Sequence, residues 1–255
     1  MCRRSCIVLV ILCVLASSAF AAVPKWTGTG STAWDLAGNW DIGTVPTSID
    51  TTWIDNTPGP IIDSLTTAVS ASIRLGGASS GELEMTGGTL TTVSSWIILG
   101  YDAGANGTFT MSGGTVTTAG TMYVGFSGDG TMYMNGGTIN VNGSRFGIAY
   151  NSAASVGHLY LNDGVINCKD FSMAKNAGST ATMDITDGKL VILGDKTPLV
   201  NGYLSSGWIT AYGGAGTVLV DYGVTTPGST TVMAIPEPAT VCMLGIGVLA
   251  LIRRK

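Results

Sequence analysis

Between residues 81 and 193 apolar and polar side chains alternate with a period of two, and the alternation itself recurs. Five segments carry it: GELEMTGGTLTT, GTFTMSGGTVTT, GTMYMNGGTINV, GHLYLNDGVINC and ATMDITDGKLVI. Leu83 and Met85 alternate with Glu82 and Glu84, and Phe109 and Met111 alternate with Thr108 and Thr110. Met132 and Met134, Leu159 and Leu161, and Met183 and Ile185 repeat the arrangement. Such alternation marks a strand with one buried face. A Gly-Gly or Asp-Gly follows each pair and permits a sharp turn through positive φ. A second short strand then points Leu90, Val116, Ile139, Ile166 and Leu190 inward. A third carries Ile97 and Leu99, Met122 and Val124, Phe146 and Ile148, and Phe171 and Met173.

The third strands end on small residues: Gly76, Gly100, Gly125, Ala149 and Ala174, at spacings of 24, 25, 24 and 25. A constant period of this length marks a repeat architecture. It predicts an all-β fold, a single-stranded β-solenoid (β-helix) of about five coils of 24–25 residues. Each coil has three short strands, and the body is capped at both ends. Each coil pairs with its copy, so Leu83, Phe109, Met132, Leu159 and Met183 form one inward ladder. A propeller blade requires about 40 residues and four strands, and a sandwich does not require so regular a spacing.

The flanks divide accordingly. Residues 1–22 read as a secretory signal peptide, with Arg3 and Arg4 before the apolar run from Ile7 to Ala16 and an Ala19-x-Ala21 cleavage site. Residues 23–65 form a Trp-rich N-terminal cap, 66–194 the repeats, 195–235 a C-terminal β cap, and 236–255 a separate tail. No stretch of the body has the pattern of an amphipathic helix.

Composition narrows the range of partners. Only 11% of the residues are charged, glycine reaches 37 residues, and the formal net charge is −4. Between residues 22 and 235 acids outnumber bases by about two to one. Nucleic acid and anionic membrane surfaces are therefore poor partners. Cys2, Cys6 and Cys13 fall in the signal and Cys242 in the tail. Cys168 is left alone in the body, so no internal disulfide forms there.

The search for chemistry yields little. His158 is the single histidine and lies in an outward column with Glu82, Thr108, Thr131 and Thr182, without the partners of a triad or a metal site. Polysaccharide lyases and hydrolases need clustered carboxylates. Glu84 and Asp184 share a column but sit four coils apart, about 19 Å by strand spacing. Asp163 and Asp187 lie one coil apart in turns, near Asn162, where Asp-Gly also serves as a turn pair. Arg145 points outward beside Phe146. Cys168 follows the inward alternation and reads as core. Tyr133 and Tyr160 occupy equivalent outward positions in adjacent coils and are the candidate glycan-contact residues, or a stabilising cross-strand pair. Asn135 and Asn162 read as a turn ladder. No catalytic residue, metal ligand or cofactor is expected.

Two resemblances extend this reading. The tail, with Pro236, Glu237 and Pro238, then the apolar run from Val241 to Ile252, then Arg253, Arg254 and Lys255, resembles the PEP-CTERM sorting signal of Gram-negative bacteria. The resemblance implies export, a membrane-tethered intermediate held transiently in the inner membrane by the tail, processing by an exosortase-type sorting protease, and association with the cell surface and extracellular polysaccharide. A helix from Ala239 to Ile252 reaches about 21 Å against about 30 Å of hydrocarbon, which suits a weak stop or a short anchor. The segment with Trp26, Gly28, Trp34, Asn39, Trp40, Pro46 and Asp50 resembles one found in surface proteins and autotransporter-like passengers, and the GGT repeats resemble passenger-type β-helices. The expected function is a structural or adhesive component of the cell surface or biofilm matrix, associated with exopolysaccharide. The rival is a polysaccharide lyase or hydrolase using Asp163 and Asp187; a protein-binding adhesin is a third reading.

Overall fold

The computed structural model describes residues 21–237. The signal segment before residue 21 and the tail from Pro238 onward, with Arg253, Arg254 and Lys255, lie outside the described residues. The chain winds into a β-solenoid of about seven turns rather than the five expected. Two turns were missed because they lack the GGT signature. Thr51–Ile54 pairs in parallel with Ser72–Leu75, and Ile61–Ile62 pairs with Gly81–Met85. Stacking therefore begins at Thr51, inside the segment expected to be cap. At the other end Ile209–Ala211 adds a last strand beside Thr180–Ile185.

The expected ladders are present. On the first face Leu83 pairs with Phe109, Phe109 with Met132, Met132 with Leu159, and Leu159 with Met183. On the second, Leu90, Val116, Ile139, Ile166 and Leu190 stack in register. On the third, Ile73, Ile97, Met122, Phe146 and Phe171 do the same. All of these residues are buried. Burying each such side chain contributes roughly 1.5–3 kcal/mol. No single coil could enclose its own apolar face, so the stacking creates the core.

The corners explain the small residues. Gly76, Gly100, Gly125, Ala149 and Ala174 all have positive φ, from 44° at Ala174 to 78° at Gly125. The column that the sequence spacing singled out is thus the column where the backbone turns left-handed. Glycine tolerates that conformation without a Cβ penalty, and alanine accepts it here at some strain.

Both ends are closed. At the N-terminal end Trp26, Trp34 and Trp40 pack edge to face, with centroids 5.1 and 4.9 Å apart. Buried Asn39 accepts the Gly30 and Ser31 N–H groups and donates to the Ala33 carbonyl. Asp50 accepts N–H groups from Ala22 and Thr47, each at 2.8 Å. At the C-terminal end the cap is not purely β, as expected, but contains a helix, Thr197–Ser205. Leu199, Val200, Tyr203 and Leu204 have helical spacing, and Pro198 suits the first turn. Nine residues with Gly202 in the middle give too weak a periodicity to recognise. Ser229–Pro236 then pairs antiparallel with Lys189–Leu193, and Gly216–Tyr222 pairs with it in turn. This reversal covers the parallel edge that would otherwise invite another strand. Among the described residues no helix is long and apolar enough to cross a membrane.

Candidate functional site

Of the sequence-predicted residues, His158, Tyr133 and Tyr160 lie on the first face, with Asp163 and Asp187 just beyond its strands. His158 stands in the expected outward column, and its Nδ1 lies 2.7 Å from the Thr182 hydroxyl. The column runs Glu82, Thr108, Thr131, His158, Thr182 in register. Glu82 is three coils from His158, roughly 14 Å by strand spacing. Asp163 and Asp187 are both exposed and are held by separate local partners. Asp163 accepts the N–H of Gly164, and Asp187 accepts the hydroxyl of Tyr212 at 3.0 Å. Asp184 accepts the Thr210 hydroxyl at 2.6 Å and the Gly213 N–H. Asp184 and Asp187 thereby fasten the Ile209–Gly214 corner to the solenoid. Asn162 donates to Asn135 at 2.8 Å, so the turn ladder is formed. Among the described residues no group of three or more His, Cys, Asp or Glu side chains could hold a metal.

Tyr133 and Tyr160 stack in register, with centroids 4.9 Å apart and planes 8° from parallel. At that separation the rings face each other, so each keeps only one outer face for a ligand. Thr110 flanks Tyr133 and Asp184 flanks Tyr160 in the same column. Cys168 lies between Val141 and Ile192 in the core column, and burial pushes its thiol up to about 12.

The more concave chemistry lies on the outer side of the third face. There Trp53, Arg74, Ile98, Tyr123, Gly147 and Ser172 form one column by successive pairing. Ile98 and Tyr123 are buried although they point away from the core. Their cover comes from the corner residues Tyr101, Phe126 and Tyr150, each placed just after the positive-φ position. Tyr101 and Phe126 lie nearly parallel with centroids 5.9 Å apart, and Phe126 and Tyr150 follow at 6.4 Å. The three corner rings are half-buried, whereas Tyr133 and Tyr160 are exposed. Tyr123 stacks on Tyr150 at 4.3 Å. Gly147 makes room beneath: a Cβ there would meet the Tyr123 ring at 2.8 Å.

Between the corner rings and the sheet runs a groove of about 300 Å³, lined by Trp96, Ile98, Tyr101, Tyr123, Phe126 and Tyr150. That volume falls at the lower edge of ligand sites, which run from roughly 300 to 1,000 Å³. Arginines stand at both ends. The Arg74 guanidinium lies 4.0 Å from the Tyr101 centroid and 5.6 Å from that of Trp96. Arg145 donates to the Tyr150 hydroxyl at 2.7 Å and pairs with Asp170 at 2.8 Å. Lys196 reaches the same carboxylate at 3.3 Å. Burial opposes the charged form of Asp170, but the bonds from Arg145 and Lys196 outweigh it and hold the carboxyl below its ordinary value.

Sequence reasoning missed this groove because it weighed strand positions and treated corners as turns. The signal was present: Tyr101, Phe126 and Tyr150 recur at spacings of 25 and 24, one residue after the small-residue column.

Comparison with known families matches the PEP-CTERM protein-sorting motif to residues 234–255. The motif indicates an exported protein that passes through the membrane to the cell surface and is processed by exosortase, a membrane protein. No curated protein and no solved structure matches the chain.

Proposed function

We propose that the chain is a structural or adhesive component of the cell surface or biofilm matrix that binds extracellular polysaccharide without turning it over. The tail would hold it briefly in the inner membrane before exosortase releases it. The single observation that carries this reading is the aromatic groove on the third face. Flat ring faces offer apolar contact to the C–H faces of sugars, and phenol hydroxyls supply hydrogen bonds at the edges. The stacked core keeps those rings at fixed spacing, so little ordering entropy is lost on binding. The exposed pair Tyr133 and Tyr160 offers a second contact.

A non-catalytic role is supported by the carboxylates. Asp163 and Asp187 are engaged with separate turn and corner partners. The test is a panel of polysaccharides incubated with the purified chain. Retention should occur without new reducing ends and without unsaturated products. Turnover abolished by Asp163→Ala or Asp187→Ala would instead establish the lyase or hydrolase. Absence of binding to every polysaccharide would leave a protein-binding adhesin.

A further inference from the structure

The groove has an electrostatic character that its aromatic lining does not require. Among the described residues Arg74 forms no ion pair, whereas Arg145 is neutralised by Asp170. Arg74 sits instead among rings, 5.1 Å from the Trp53 centroid and 4.0 Å from that of Tyr101. The rings favour the cation, but they accept no conventional hydrogen bond from it. No Asp or Glu lines the groove. The neighbouring Asp55 is engaged, accepting the Gly77 N–H at 2.6 Å. The chain as a whole is acidic, at −4, so an unpaired arginine in this place does not follow from a basic composition.

A second observation points the same way. Among the described residues five buried side-chain N or O atoms lack a hydrogen-bond partner, namely those of Trp34, Trp53, Arg74, Trp96 and Ser172. All but that of Trp34 belong to the outer side of the third face. Native proteins leave few such groups unpaired, so their clustering needs an explanation. Trp53 Nε1, Arg74 Nε and Trp96 Nε1 are pure donors. A ligand suited to this face is therefore rich in acceptors and negatively charged. The column from Trp53 to Gly147 covers four coil spacings, about 19 Å. Beside it the corner rings Tyr101, Phe126 and Tyr150 recur in three successive coils, which suits a polymer with a repeating unit better than one small molecule.

We infer that the third face recognises a carboxylated polysaccharide, and that Arg74 is the residue that selects its charge. The inference rests on the polysaccharide reading above and adds the chemical class of the ligand. Arginine presents a planar fork of donors that matches a carboxylate in two parallel hydrogen bonds. The adjoining rings would hold the sugar carrying it.

The test compares alginate and polygalacturonate with neutral cello-oligosaccharides, using calorimetric titration of the full chain at low and high salt. The carboxylated chains should bind more tightly, and raising the salt should weaken that preference. Arg74→Gln should weaken polyuronate binding roughly tenfold to a hundredfold. Arg74→Lys should retain part of it, and either variant should cost more in polyuronate binding than in binding to the neutral oligomers. Equal, salt-independent binding of neutral and carboxylated chains by the parent protein would overturn the charge selection and leave the polysaccharide reading standing. Binding to neither class would overturn both. The salt comparison uses the parent protein alone, so it decides the matter even where an Arg74 variant folds poorly.

Discussion

Gly130 tests the tight corner that carries the chain from one coil to the next. It belongs to the column Gly81, Gly107, Gly130, Gly157, in register across four coils. A Cβ built on Gly130 would lie 1.9 Å from the Gly125 nitrogen and 2.7 Å from the Gly125 Cα. The obstacle is backbone, so no rotamer change relieves it. Overpacking a core typically costs about 1–3 kcal/mol. Replacing glycine by alanine also restricts the unfolded chain, which returns about 0.4–1 kcal/mol. With the clash at the severe end, Gly130→Ala should lose about 2–2.6 kcal/mol net. At about 2–4 °C per kcal/mol for a chain of this size, the melting temperature should fall by about 4–10 °C. The control is the same substitution at Gly202, in the helix, where a Cβ would meet nothing within 4 Å. Gly202→Ala should stabilise by about 0.5–1 kcal/mol. Because solenoids can open locally, melting followed by circular dichroism should be joined by amide exchange resolved to peptides. Accelerated exchange should concentrate in the coils on either side of residue 130. If Gly130→Ala melts at or above the parent, the corner from Gly125 to Gly130 is not as tight as described.

Acid should loosen the C-terminal end. Asp170 has its folded pKa held below the ordinary value of 3.8, so its stabilisation is complete above that value and is lost as pH falls through the folded one. Asp170→Asn should flatten that part of an acid-unfolding curve, and an unchanged curve would refute the assignment. Cys168, with its thiol at about 12, should resist maleimide at pH 8 in the folded protein and react once denatured, as followed by mass spectrometry of its peptide. Replacing Pro236, Glu237 and Pro238 together by alanine should block release of the tail, seen as an unprocessed species by intact mass in an exosortase-containing host.

The parts of this molecule that were legible in advance share one physical cause. Period-two alternation reports which side of a strand is buried, and a constant repeat length reports stacking; Phe109, Met132 and Leu159 could be placed on both grounds. Positions with weaker local signals were harder to place. Thr52 is buried although its hydroxyl is polar, because it bonds to Ser70 at 2.9 Å, and this hid the coil beginning at Thr51. Trp26, Trp34 and Trp40 mark a cap by composition, but their edge-to-face geometry depends on residues far apart in the chain. Asp184 and Asp187 looked like chemistry in the sequence and prove to be fasteners of the last corner. The aromatic groove escaped notice because turns are ordinarily read for their backbone demands. Here the corner residues also roof the sheet, and only the folded chain shows that Tyr123 lies beneath them.

The ladder of Ser229–Pro236 has a mechanical corollary. Its pairing continues to Pro236 opposite Gly216, within the stretch that matches the sorting motif. The folded body therefore includes the first residues of the motif, Ala234 to Pro236. A membrane-embedded processing enzyme must work directly against the closing hairpin, or first peel its last rungs away.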